Sequence, residues 1–184
     1  MAGGFTWAGS YSDDPHGKIR LFDVASSHST RLGIGDVVRI TGTGNSTTYI
    51  GGIDAAAAGQ SITGVITGFV PPFATESFLD TGLAASTAGQ ALVNTDPFAL
   101  YIVDTSAQLA VADIGLNADI VATAATQSGG LTISNMTLDS STKNTTSTLQ
   151  FRIIGILPDD NGTVGNRALV MVNNSTQKAG ATGV

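Results

Sequence analysis

None of the 184 residues is cysteine, so neither a disulfide nor a thiolate metal site can hold this chain, and its stability rests on packing or assembly. Charge is also scarce. Asp, Glu, Lys and Arg together make up 12%, about half the usual share of a globular domain. Eight Lys and Arg on a chain of net charge -6 form no cluster able to neutralise several phosphates, and the overall field repels a polyanion, which excludes nucleic acid as a partner. There is one Trp and there are two His, so imidazole chemistry has few sources. No apolar run approaches the roughly 18 residues that span a bilayer. The stretch "MAGGFTWAGS" has neither a basic n-region nor an apolar h-region, and a soluble protein that neither enters a membrane nor is secreted by that route is expected.

In place of charge the chain has 23 Gly and 24 Thr, with Ser and Asn alongside. Hydroxyls and amides meet neighbours through short hydrogen bonds without the desolvation cost of a buried charge, so such a surface suits packing against other proteins. The length fits one domain, or one domain with an arm, and is enough to bury a real core.

Hydrophobic periodicity is that of strands. From Lys18 the period is two: "KIRLFDV" (18–24), "DVVRITG" (36–42) and "TYIGGI" (48–53) are separated by turn-forming Gly, Ser and Asn. "SITGVITGFV" (61–70) continues the pattern with Gly64 and Gly68 inside it, the mark of bulges or tight bends in a curved sheet. "FALYIVD" (98–104), "LQFRIIGIL" (149–157) and "ALVMVN" (168–173) are further strands. The expected class is all-β, a small barrel or sandwich-like domain over 18–174 with long loops, the longest at 73–95. One short helix is expected over 106–115, from a Ser106 start to a Gly115 stop. Residues 1–17, rich in Gly, Ser and Asp but bearing Phe5, Trp7 and Tyr11, form either a tail in water or an arm that docks its rings on the body or on a partner. Residues 175–184 have nothing to bury and are expected to be a tail.

Candidate chemistry is thin. "DDPHG" (13–17) offers two carboxylates and an imidazole, but Asp, Pro and Gly are turn residues for steric reasons and a solvated turn explains them. "SSHS" (26–29) sets hydroxyls beside His28, yet a triad is assembled in three dimensions and seldom from neighbours in a loop. "DDNG" (159–162) has the look of a calcium loop, but the twelfth position from Asp159 is Val170, not Glu. A hairpin loop between two strands accounts for it. "LGIGD" (32–36) lacks the third glycine of a dinucleotide site and fits a turn before a strand. No cofactor, metal ion or catalytic residue is nominated, and the chain is not expected to be an enzyme.

Taken in order, "DPFALYIVD" (96–104), "GLNADI" (115–120), "LDSSTKNTTSTLQFRIIGIL" (138–157) and "PDDNGTVGNRALVMVNN" (158–174) resemble the capsid decoration, or cement, proteins of tailed bacteriophages. In that family a Gly-Leu-Asn-Ala-Asp run, a Leu-Asp with a Thr-rich stretch, an apolar strand, an Asp/Asn loop and a last strand ending in Asn-Asn recur in this order. The match covers roughly the C-terminal half. The resemblance implies a structural protein of the virion, made in the host cytoplasm, that binds the outer surface of the capsid. There it would stabilise contacts between subunits of the major capsid protein, self-associating as a trimer or, alternatively, a dimer. Phe5, Trp7, Tyr11, Phe73 and Phe78 are the aromatic candidates for that interface. The competing readings are a carbohydrate-binding β module, with Trp7, Tyr11, Tyr49 and Tyr101 as stacking rings, and a small hydrolase using His16 or His28.

Overall fold

The structure, a computed structural model, describes residues 3–12, 18–70, 82–158 and 164–178. Its strands are β1 (Thr6–Ser10), β2 (Ile19–Val24), β3 (Leu32–Gly33), β4 (Val37–Gly44), β5 (Gly51–Ala55), β6 (Gly64–Val70), β7 (Gly82–Leu83), β8 (Gly89–Asn94) and β9 (Ala99–Asp104). They are followed by β10 (Asn117–Ala118), β11 (Ile120–Val121), β12 (Thr126–Ser128), β13 (Leu131–Ile133), β14 (Thr137–Leu138), β15 (Phe151–Pro158) and β16 (Val164–Val172). Among the described residues helix is confined to two 3-10 turns, Val111–Asp113 and Ser140–Thr142. The fold is all-β, as the period-two pattern predicts.

Two bodies of sheet carry it. Strands β2-β5-β4-β6-β8 close into a barrel, and β1-β9-β16-β15-β10 form a five-stranded sheet. Barrel neighbours run antiparallel except β2 and β5, which pair in parallel through Asp23 with Gly52 and Val24 with Ile53. The barrel interior is filled by Val24, Leu32, Val38, Ile53, Ile66, Ala91 and Val93. A larger core lies where the sheet meets the barrel wall. Ala99, Tyr101 and Val103 of β9, Phe151 and Ile153 of β15, and Ala168, Val170 and Val172 of β16 turn inward at every second residue to meet Val37, Ile62 and Val65. Val37 and Val38, like Val65 and Ile66, are sequence neighbours that serve the two cores on opposite sides of the barrel wall. That is why β4 and β6 open on adjacent apolar residues whereas β9 alternates.

The glycines do different jobs. Gly68 sits at a register shift between β6 and β8, the bulge its position predicts. Gly64 instead permits a close approach, since a methyl there would collide with the carbonyl group of Asn94. Gln150, fully buried, is a polar junction that the sequence did not advertise. Its Oε1 accepts from Ile120 N at 3.0 Å, and its Nε2 donates to the carbonyls of Ala57 at 2.9 Å and Gln60 at 3.0 Å. One side chain thereby ties the end of the barrel to the strands beside the sheet.

Three expectations change, and for the N-terminal segment one of the two alternatives is selected, the arm docked on the body. The helix expected over 106–115 is only the 3-10 turn Val111–Asp113, ended by Gly115 at φ +95. Ser106 does not start it, because its hydroxyl is engaged with Ser140 Oγ at 2.9 Å. The long loop expected at 73–95 contains β7 and β8, and β8 is a full barrel strand between β2 and β6. Its small Ala91 packs in the interior, and that size is what hid the strand in an Ala-rich stretch. The tail expected from 175 is docked through 178: Ser175 bridges to Ile62, and Lys178 Nζ donates to the carbonyls of Val172 and Asn173 at 2.8 and 2.9 Å. Residues 6–10 of the expected arm are β1, paired to β9 with a bulge between Trp7 and Gly9. Between β15 and β16, the hairpin loop expected at 159–162 falls outside the described residues.

Candidate interaction surface

Strand β1 and the residue that leads into it carry two of the candidate aromatics, Trp7 and Phe5. Phe5 leads into β1 and is 2% exposed. Its ring stacks on Phe151 with centroids 4.6 Å apart and meets Tyr101 edge-on at 6.3 Å. Phe5 is therefore a core residue and is corrected as an interface candidate, because no face of its ring is left for a partner. Trp7, at 37%, lies on the surface, and Tyr11 is more exposed still. Phe73 and Phe78 lie outside the described residues.

Between β1 and the barrel runs an open cleft of about 350 Å³. Trp7, Ile19 and Ile34 stand at it as exposed side chains, with buried Phe5, Val65 and Ile66 beneath them. No charged residue lines it; Thr6, Thr67 and Asn94 supply the polar groups. Beyond the end of β1 the backbone N–H of Tyr11 donates to the carbonyl of Phe98 at 3.2 Å, and both side chains are exposed. Sequence reasoning missed Ile19, Ile34 and Phe98. Ile34 carried a usable signal, an apolar residue between two glycines in a turn.

A buried carboxylate fastens this end of the molecule. Asp96 accepts from Ser10 Oγ, from Ser12 Oγ at 2.7 Å and from Phe98 N at 3.0 Å. Burial works to raise its carboxyl, but the hydrogen bonds from Ser10, Phe98 and Ser12, with the charge of Lys18, outweigh burial and hold it below the usual carboxylate range. The exposed edge of β1 is thus held in place by its own hydroxyls.

Tyr101 also borders the cleft, yet its residue is fully buried and its hydroxyl has no hydrogen-bond partner among the described residues. Burial, then the negative charge of Asp96, push its phenol well above the usual range. An unsatisfied buried hydroxyl costs about 1–3 kcal/mol. Tyr101→Phe is therefore expected to raise stability by about 1 kcal/mol in a urea titration, and a loss of stability would show that the hydroxyl is satisfied in solution.

The other candidate residues are dispersed. His28 is buried, its ring nitrogens 2.8 and 2.9 Å from the carbonyl oxygens of Thr30 and Thr87; it pins one loop to another. His16 and the carboxylates of "DDPHG" lie outside the described residues. Among the described residues no three His, Asp or Glu side chains gather as a metal site would require. Of the four rings considered for sugar stacking, Tyr101 is buried, and no ring contact joins Trp7, Tyr11 and Tyr49. The cleft thus presents an uncharged surface with an apolar centre. No family model, curated protein or solved structure matches this chain.

Proposed function

We propose that this protein is a structural decoration protein of a phage capsid, which binds the outside of the shell without covalent chemistry and braces contacts between major capsid protein subunits. The observation that carries the reading is the uncharged cleft rimmed by exposed Trp7, Ile19 and Ile34, on a chain with so little charge elsewhere. An aromatic anchor set among hydroxyls and amides is the usual arrangement of an interface hot spot. The residues that resemble the cement family lie in and around β9, β10, β15 and β16. These strands form most of the five-stranded sheet on which β1 is mounted. They supply the frame, and the cleft supplies the adhesive face. Self-association into a small ring matched to the symmetry of its site belongs to the same reading.

The test is cosedimentation of the full chain with expanded, undecorated heads, counting copies bound per head. Saturation at a fixed number per capsomer is expected. Trp7→Ala should weaken binding by roughly 30-fold, the equivalent of a hot-spot loss of about 2 kcal/mol, without altering the unfolding midpoint by more than a degree or two. Absence of binding at micromolar protein would overturn the reading.

A further inference from the structure

The most exposed large apolar side chain among the described residues is not at the cleft. Tyr49, at 90% exposure, stands at the tip of the hairpin that joins β4 to β5. Its backbone is at φ +59, the left-handed region that a Cβ disfavours and where a bulky residue is a true outlier. Asn or Gly would sit there without strain.

The tip is nonetheless built as a defined structure. Asn45 Oδ1 accepts from the N–H groups of Thr47 at 2.8 Å and Thr48 at 3.3 Å, Tyr49 N donates to Asn45 O at 2.8 Å, and Asn45 N donates to Ile50 O at 3.0 Å. Thr48 Oγ1 donates to Asp23, anchoring the tip to β2. Gln90 Nε2 holds the other Asp23 oxygen at 3.0 Å. A strained backbone survives only where its surroundings over-determine it, and such positions concentrate at functional sites. Here the strain holds a phenol ring out in water, with no ring contact among the described residues.

From this we infer that Tyr49 is a second adhesive element, an aromatic plug for an apolar socket on the coat shell, separate from the cleft. This rests on the decoration reading above. The partner's chemistry follows from the hairpin itself: residues 43–51 carry no charge, so the socket is uncharged and apolar and takes the face of the ring. No residue of this hairpin lines the cleft. The chain therefore holds two distinct contact patches, which is what bracing two coat subunits requires.

Two measurements on the full chain test it. In the first, with no capsid present, Tyr49→Gly and Tyr49→Asn relieve the backbone and are expected to leave the melting temperature unchanged or raise it by up to about 2–4 °C. A fall would make Tyr49 a structural residue and overturn the inference. In the second, both variants are cosedimented with expanded, undecorated heads beside the wild type. At least a tenfold loss of affinity is expected for both, with Tyr49→Phe retaining binding to within a few-fold. Wild-type affinity in the Gly and Asn variants overturns the inference and leaves the decoration reading standing. Absence of binding by the wild type overturns the decoration reading and, with it, the socket on the shell, whatever the melting temperatures show.

Discussion

Replacing Phe5 with Ala is expected to lower the free energy of unfolding by about 3–5 kcal/mol, the cost of removing a large ring from a closed core. Phe5, Tyr101 and Phe151 form a three-ring cluster, with Tyr101 and Phe151 edge-on at 6.4 Å and Phe5 stacked on Phe151. Each partner comes from a different part of the chain, so the site cannot collapse by a local adjustment. The backbone adds to the fit. Phe5 N donates to Gly35 O at 2.9 Å, and Gly4, at φ +67, passes so near Ser134 and Gly35 that a Cβ would have no room. Urea titration followed by Trp7 fluorescence reads the loss directly. A change under 1 kcal/mol would mean that the N-terminal segment is not packed in solution as described. The same geometry revises a simpler experiment: cutting away residues 2–12 removes Phe5 and all of β1 and bares the edge of β9. Such a truncation tests folding before it tests binding, and Trp7→Ala is the cleaner probe.

The second large effect is a pH dependence centred on Asp36. Its carboxyl is fully buried at the turn between β3 and β4, accepting from Gly33 N at 2.7 Å and from Ser134 Oγ. Burial pushes it up from an ordinary 3.8 to about 6, against the pull of those two hydrogen bonds. A carboxyl raised in the folded state favours folding most when protonated. Its contribution is therefore present below about pH 4 and is lost as pH rises through about 6. At about 1.4 kcal/mol per pH unit the loss sums to roughly 3 kcal/mol. Asp36→Asn keeps an oxygen for Gly33 N–H and turns its amide toward Ser134 Oγ, so it cannot ionise yet fills the same place. The stability of the wild type minus that of this variant should fall between pH 4 and pH 6.5, whereas Asp96, held low, acts in both proteins alike and cancels. A flat difference across that range would show that Asp36 titrates as an ordinary carboxylate.

The two effects arise at one junction. Gly35, between Phe5 and Asp36, receives the N-terminal segment through its carbonyl and donates its N–H to Ile66 O at 2.9 Å, while Ser134 joins Asp36 from the far side. Barrel, sheet and N-terminal segment are thus fastened within a few residues of each other. The Trp7 face depends on that fastening for its position.

Much of the fold was legible in the chain. Strands β2, β4, β6, β9, β15 and β16 follow from alternation bounded by turn residues, since one-sided burial leaves a period of two in the sequence. The bend of the barrel wall was legible in Gly68. Strand β8 was not, because a barrel interior that needs Ala91 gives no hydrophobic contrast with the Ala-rich run before it. The helix expected at 106–115 failed on a local competition: Ser106 has a better partner in Ser140, distant in sequence, than in its own backbone.

The candidate surface divides the same way. Composition by itself determined an uncharged, hydroxyl-rich exterior and pointed to Phe5, Trp7 and Tyr11 as notable, because residue type sets what a surface can bind. Only the tertiary structure decided which ring is core and which is surface. Phe5 and Trp7 are two residues apart and would share a face of a regular strand. Phe5 instead precedes β1, entering through a left-handed glycine that aims it into the core, while Trp7 pairs in β1 just ahead of the bulge and stays at the surface. Tyr49 is the opposite case. Its exposure and strain come from a hairpin locked by the local turn at Asn45 and by Asp23 of another strand, and the second contact is one that no local pattern encodes.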